Sequence, residues 1–437
     1  MPDHAISAHP AVQAQLDRLW ALSPGADVLG LERITKLLGR LGDPQHALPP
    51  VFHVAGTNGK GSTCAFLRAA LEAAGHAVHV YSSPHLVRFN ERIRIAGRLI
   101  EDEPLAALLG EVLDRADGIG ASFFEVTTAA AFLAFARTPT AATIVEVGLG
   151  GRLDATNVVT PAVTGIAALG MDHETFLGDT LTAIAREKAG IAKRGVPLVT
   201  MDYARPIRTA IAAVAESAGA PVHARGTAWT TEAARTTLRY ADRGFSVVTP
   251  RPRLVGAHQS RNLGLALAML RHQGAVSVPE AAMRAAADWA QWPARMQRLA
   301  SGPLVDRLPP GSTAWLDGAH NPSAAAPVAR TLRSVARGQP VALVIGMLAN
   351  KDASAVLRLL APAASRVIAV PVPGHAHHPP ESLAALARSF GTDAATAPDT
   401  EDAMADIAKA AAPVTVLIAG SLYLAGVVLA ANDEPPT

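Results

Sequence analysis

A chain of 437 residues, 49% apolar and 17% charged, is too long for one ordinary hydrophobic core and too apolar to be disordered, so two packed domains are expected. Its formal charge of +2 gives no basic footprint for nucleic acid or anionic membrane. The single cysteine, Cys64, allows no internal disulfide, which fits a reducing cytoplasm.

Residues 1–10 lack the basic start and apolar run of an export signal. From residue 51 onward, short apolar runs alternate with longer Ala- and Leu-rich helical patterns, the rhythm of a parallel sheet covered by helices. Strands are expected at 51–55, 77–81, 143–147, 162–167 and 197–201, and helices at 62–74, 104–116, 124–136, 181–191 and 205–218. The stretch 227–254 loses this rhythm and reads as turn-rich β structure, before helical patterns return at 262–272 and 279–289. Beyond Trp292-Pro293 the alternation restarts, with strands expected at 314–316, 341–345, 367–370 and 414–418. Residues 414–431 could span a bilayer as one helix. Their β-branched start and the pair Gly420-Ser421 read better as strand, turn and packed helix. The division expected is a first domain over 1–295 and a smaller open α/β domain over 296–437.

The first expected strand runs into Gly56-Thr57-Asn58-Gly59-Lys60-Gly61-Ser62-Thr63. A strand, a Gly-rich loop with a lysine, and Ser/Thr at a helix start make a cradle for polyphosphate: backbone N–H groups converge on the oxygens and the helix dipole favours the anion. The strict Walker spacing is not met, because Val54 stands where the first glycine belongs and Gly61 separates Lys60 from Ser62.

That departure resembles the muramyl-peptide ligase superfamily, and the Gly61-Ser62 ending resembles its folylpolyglutamate and dihydrofolate synthase branch. So do Ser83-Pro84-His85-Leu86, the run from Arg88 to Ile93, the run from Glu146 through Gly151 and Asp154 to Asn157, and Asp172-His173. Glu187-Lys188-Ala189-Gly190-Ile191, Leu316-Asp317-Gly318-Ala319-His320-Asn321-Pro322 and Gly420-Ser421-Leu422-Tyr423-Leu424 complete the set. The resemblance implies an α/β architecture: an N-terminal P-loop ATPase-like parallel-sheet domain joined to a C-terminal Rossmann-like domain, with the active site in the cleft between them. It implies a cytoplasmic, monomeric ligase that uses Mg²⁺ and ATP to phosphorylate a carboxylate, which L-glutamate then attacks to form an amide. Dependence on K⁺ is left open. The acceptors implied are dihydropteroate and tetrahydrofolate; a monofunctional folylpolyglutamate synthase and an inactive nucleotide-binding relative are the alternatives.

The resemblance also assigns roles. Thr57, Asn58, Gly59, Lys60, Gly61 and Ser62 line the phosphates, with Asn262, Arg295, Asp317 and His320 for the base and sugar. Ser83, Glu146 and His173 match Mg²⁺ ligands, joined by Lys188, which the family typically carbamylates; spacing alone would make Lys188 a surface residue. Lys60, His173 and Lys188 are the catalytic candidates. Gly30, Leu31, Glu32 and Arg33, with Ser122, Phe123, Phe124 and Glu125, and Leu153, Asp154 and Ala155, match the pterin pocket. Either phenylalanine could stack on the pterin or simply fill the core. The family's Pro-Gly-Arg stands here as Pro293-Ala294-Arg295, and its Asp-Lys-Asp as Asn350-Lys351-Asp352. His375, His377 and His378 read as a loop rather than a metal cluster, Cys64 as helix packing, and Asp352 as a helix cap.

Overall fold

The computed structural model describes residues 5–22 and 29–437. The chain divides into two compact units, one formed by Met1–Arg253 with Gln259–Gln291 and the other by Leu254–His258 with Trp292–Thr437.

The first unit is built on eight strands: β1 (Val51–Ala55), β2 (Val78–Tyr81), β3 (Ile93–Ile95), β4 (Arg98–Leu99), β5 (Ala142–Glu146), β6 (Val163–Ile166), β7 (Leu198–Thr200) and β8 (Val222–Ala224). Their order across the sheet is β4-β3-β2-β5-β1-β6-β7-β8. From β2 to β8 every pairing is parallel; β3 and β4 extend the edge in antiparallel fashion. Every residue of β1, β2, β5 and β6 is buried, as a strand covered on both faces must be. One apolar cluster joins the sheet to helices Pro10–Leu22, Glu32–Arg40, Asp102–Ala116 and Phe123–Arg137, and includes Leu16, Leu109, Val126 and Phe132. Helix Lys60–Ala73 packs on helix Glu280–Trp289. The expected turn-rich β segment is a three-stranded antiparallel sheet, β9 (Trp229–Ala233), β10 (Thr237–Asp242) and β11 (Phe245–Pro250).

The second unit carries β12 (Gln297–Arg298), β13 (Thr313–Leu316), β14 (Val341–Ile345), β15 (Arg366–Ala369), β16 (Asp393–Thr396) and β17 (Thr415–Ala419), in the order β12-β13-β17-β14-β15-β16. All its pairings are parallel except β12 with β13. The apolar stretch 414–431 is β17, then Ser421 as N-cap, then helix Leu422–Ala431. Among the described residues no helix is long and apolar enough to cross a membrane.

Candidate active site

Four neighbouring parallel strands, β2, β5, β1 and β6, bring their carboxyl ends to one edge of the first sheet. Such an edge, where connections leave in both directions from a central strand, is where open α/β sheets bind ligands. β2 runs into Ser82 and Ser83, β5 ends on Glu146, β1 runs into the phosphate loop, and β6 runs towards Asp172 and His173. Glu146 pairs in register with Val54, and adjacent strands lie ~4.8 Å apart, so its buried carboxylate stands beside the start of the loop.

The loop is pinned from below. Thr57 and Asn58 donate their N–H groups to the Ala168 carbonyl at 2.8 and 3.1 Å, and the Thr57 hydroxyl donates to Gly170 O at 3.0 Å. Gly59 adopts φ 84°, and a Cβ there would come within 2.6 Å of Asn262 Oδ1, so only glycine fits. Asn262 is thus brought against the loop, steadied by its 3.0 Å hydrogen bond to Gln259, a buried residue that motif reasoning missed. Helix Lys60–Ala73 starts at Lys60, two residues earlier than expected, which puts Gly61 and Ser62 inside its first turn.

The two lysines meet on one atom. Lys60 Nζ donates to Gly56 O at 3.2 Å and Lys188 Nζ donates to the same carbonyl at 3.1 Å. Lys188 is 4% exposed, which removes the surface-lysine alternative. Burial, and then the charge of Lys60, lower its pKa to about 7, against the opposing pull of Asp172 and Asp154. Asp172, adjacent to the predicted His173, is therefore part of this electrostatic set. His173 itself sits at φ 54° as N-cap of the short helix Glu174–Leu177, with a half-exposed side chain 3.8 Å from Asp172.

Helix Leu181–Ala189, which carries Lys188, is clamped to the loop after β5. The Arg152 N–H donates to Glu187 O at 2.8 Å, and the Arg152 guanidinium pairs with the Glu187 carboxylate at 3.0 Å. A Cβ on Gly151 would come within 2.9 Å of the Glu187 and Lys188 carbonyls, and one on Gly190 within 2.3 Å of Arg152 Cβ. The backbones touch because neither residue has a side chain.

The segments expected to line a pterin pocket divide by environment. Phe123 is a core residue, 5.9 Å edge-on to Phe89 and 5.3 Å from Trp20. Phe124 is partly exposed and lies over Gly148, where a Cβ would be 2.4 Å from its Cζ. Ser122 and Glu125 form a capping box at the helix start, and Glu125 reaches Arg33 Nε at 3.0 Å, joining two of the expected segments. Gly30 and Leu31 lead into the helix headed by Glu32, whose carboxylate lies 2.8 Å from where a Gly30 Cβ would stand. Asp154 is turned inward between half-buried Leu153 and buried Ala155. It accepts from Leu149 N–H at 2.7 Å, Thr156 N–H at 3.0 Å and the Thr156 hydroxyl, while burial pushes its pKa up.

In the second unit, Asp317 follows β13 and accepts from Met296 N–H at 2.7 Å and Ala319 N–H at 2.9 Å. Burial raises its carboxyl to about 6, with the Arg295 charge opposing. Arg295 Nη1 lies 3.1 Å from where a Gly318 Cβ would stand, and His320 Nδ1 is 2.8 Å from Gly318 O. Ala294 holds φ 53°, the left-handed region that the glycine of Pro-Gly-Arg would enter without strain. Asp352 is a helix cap, accepting from Ala355 N–H. His375 stacks on Tyr423 at 3.9 Å, while His377 and His378 sit against the carbonyls of His375 and Lys351. Cys64 is buried in helix Lys60–Ala73, and burial drives its thiol pKa well up.

The C-terminal part of the chain, residues 295–422, matches the family model described as Mur ligase, glutamate ligase domain. Across 92% of its own length, the Escherichia coli dihydrofolate synthase/folylpolyglutamate synthase is 35% identical to 93% of this chain. The chain belongs to the dihydrofolate synthase/folylpolyglutamate synthase family. The E. coli FolC solved in complex with DHPP and ADP superposes with a TM-score of 0.88 at 34% identity, covering 97% of both chains. A bifunctional folylpolyglutamate synthase/dihydrofolate synthase solved with Mn, AMPPNP and L-glutamate gives 0.85 at 32% identity, over 98% of this chain and 99% of that one. The chain spans 48% of a longer Halobacterium salinarum relative, a probable bifunctional folylpolyglutamate synthase/dihydropteroate synthase, 36% identical over 90% of this chain.

Proposed function

We infer that this protein is an ATP-dependent, ADP-forming ligase that joins L-glutamate to dihydropteroate, and to the γ-carboxylate of tetrahydrofolate, through an acyl phosphate. Family membership over nearly the whole chain carries the reaction class, and the convergence of Lys60 and Lys188 on the Gly56 carbonyl carries the local chemistry. A carboxylate is a poor electrophile until phosphorylated, so the protein's task is to place groups and neutralise charge. Lys60 and the N–H groups from Gly59 to Ser62 hold the polyphosphate, on a loop that Thr57 and Asn58 anchor to Ala168; Asn262, Arg295, Asp317 and His320 serve the base and sugar. The segments 30–33, 122–125 and 153–155 form the pterin pocket, with Phe124 offering the ring face and Asp154 shaping the loop from within.

A divalent cation, Mg²⁺ in this reading, supplies charge neutralisation at the transferring phosphoryl group. Ser83, Glu146 and His173 offer oxygen and nitrogen donors that suit it. Lys188 as an ammonium does not, but a buried amine with pKa about 7 is about half free base near neutrality. Its lone pair attacks CO₂ and, on losing a proton to solvent, would become a carbamate whose oxygens would join Ser83, Glu146 and His173 as donors. The mass of the intact protein in bicarbonate buffer should show one added CO₂ that Lys188→Ala lacks, and an unchanged mass together with full activity in bicarbonate-free buffer would remove this assignment. The same reading makes the protein a cytoplasmic monomer that binds neither nucleic acid nor membrane; a dimeric mass in sedimentation would count against it.

The deciding experiment is ATP-dependent incorporation of labelled L-glutamate with dihydropteroate and, separately, tetrahydrofolate as acceptor. Both should be labelled, and Lys60→Ala should abolish both. Incorporation into one alone would reduce the activity to a single synthase, and incorporation into neither would refute the substrate assignment.

A further inference from the structure

His53 is the central residue of β1 and is fully buried three positions before Gly56. A polar ring inside the run Val51-Phe52-His53-Val54-Ala55 costs free energy unless it is hydrogen-bonded. Its Nε2 lies 2.9 Å from the Thr156 hydroxyl, and that hydroxyl donates to Asp154 Oδ1. A hydroxyl has one hydrogen. With that hydrogen committed to the carboxylate, Thr156 can only accept from the imidazole, so the ring carries its hydrogen on Nε2. The other nitrogen, Nδ1, is buried without a hydrogen-bond partner, a place that a bare acceptor tolerates better than an N–H donor. Burial, reinforced by the Lys193 charge, lowers the imidazolium pKa to about 3, so the ring stays neutral at any working pH.

The chain His53–Thr156–Asp154 ends on the Leu149 N–H, one residue beyond the Gly148 that lies under Phe124. It therefore ties the strand feeding the phosphate loop to the loop that shapes the opposite substrate site. The phosphate loop's own bonds, from Thr57 and Asn58 to Ala168 and from Lys60 to Gly56, do not pass through it.

We propose that His53 is a positioning residue for the acceptor substrate, acting through the Thr156 hydroxyl to fix Asp154 and the loop backbone beside Phe124. The proposal rests on the reading above that this loop lines the acceptor pocket. A buried histidine that merely satisfied itself would change stability when replaced, with no preference for one substrate over another.

The test is steady-state kinetics of the full-length enzyme with ATP, L-glutamate and dihydropteroate. Thr156→Val and His53→Leu should each raise the KM for dihydropteroate about tenfold, the scale of one positioning hydrogen bond, and leave the KM for ATP within about twofold. Thr156→Ser and His53→Gln, which keep the bonds, should stay within about threefold of wild type on both. The double variant should be no worse than either single one, because both cut the same chain. Unchanged acceptor KM in Thr156→Val, equal movement of both KM values, or multiplicative losses in the double variant would each overturn the proposal. Phe124→Ala separates the two layers of the argument. An unchanged acceptor KM there removes the pocket reading and the proposal with it; a raised one alongside a silent Thr156→Val removes the relay alone. Should the Val and Leu variants not fold, the ¹⁵N spectrum of the wild-type His53 ring decides: an Nε2–H tautomer is expected, and an Nδ1–H tautomer overturns the chain.

Discussion

Asp317 shows what a buried carboxylate does to a protein's response to pH. It is 4% exposed, and its two backbone N–H partners do not offset the loss of water, so it titrates near 6 rather than near 3.8. The folded chain thus holds a proton that the unfolded chain has released between those two values, and stability falls as pH rises through that window. The stabilising contribution is complete below about pH 4 and gone above about pH 6, at most about 3 kcal/mol at about 1.4 kcal/mol per pH unit. Asp317→Asn, which cannot titrate, should gain on wild type between pH 4 and pH 7 in urea-unfolding free energy. A gap of equal size at both pH values would mean that the carboxyl titrates normally.

At the level of elements, the meeting of Lys60 and Lys188 on the Gly56 carbonyl depends on two backbones touching. Helix Leu181–Ala189 can present Lys188 to the Gly56 carbonyl only because Gly151 and Gly190 let it close on the loop after β5. The atoms that a Gly151 side chain would strike are main-chain carbonyls, which cannot rotate away. Gly151→Ala should therefore cost about 1–3 kcal/mol of stability, the usual range for overpacking, and lower turnover by displacing Lys188. Wild-type denaturation midpoints together with wild-type turnover would show that the clamp has slack. The glycines were visible in the motif, but their purpose was not, since a motif does not say which segment comes to lie against it.

Across the molecule, what could be read from the sequence and what could not follow from the range of the interactions. Buried parallel strands such as β1, β5 and β14 are short, mostly apolar runs, and their positions were legible to within a residue. Helices such as Arg205–Ala218 carry their own periodicity and were equally plain. The short edge strands β3, β4, β8 and β16 were not foreseen, because two to four residues at a sheet's border carry no pattern of their own. Helices Pro10–Leu22 and Glu32–Arg40 were also missed. Within the site, the glycines and Lys60 announce themselves by local spacing. Gln259 beneath Asn262, Arg33 on Glu125 and His53 on Thr156 do not; the last pair spans 103 positions of chain, and only the folded sheet makes them neighbours. A histidine inside an otherwise apolar strand was the one local sign that something had to meet it.

Cys64 has a practical consequence for anyone who wants to watch this protein at work. The only thiol in the chain is sealed inside the helix behind the phosphate loop and held in its unreactive protonated form. The native protein is therefore already a blank background for thiol chemistry. A cysteine introduced at any exposed position can carry a maleimide dye or spin label, with no need to remove Cys64 and no risk of marking the helix Lys60–Ala73 by accident.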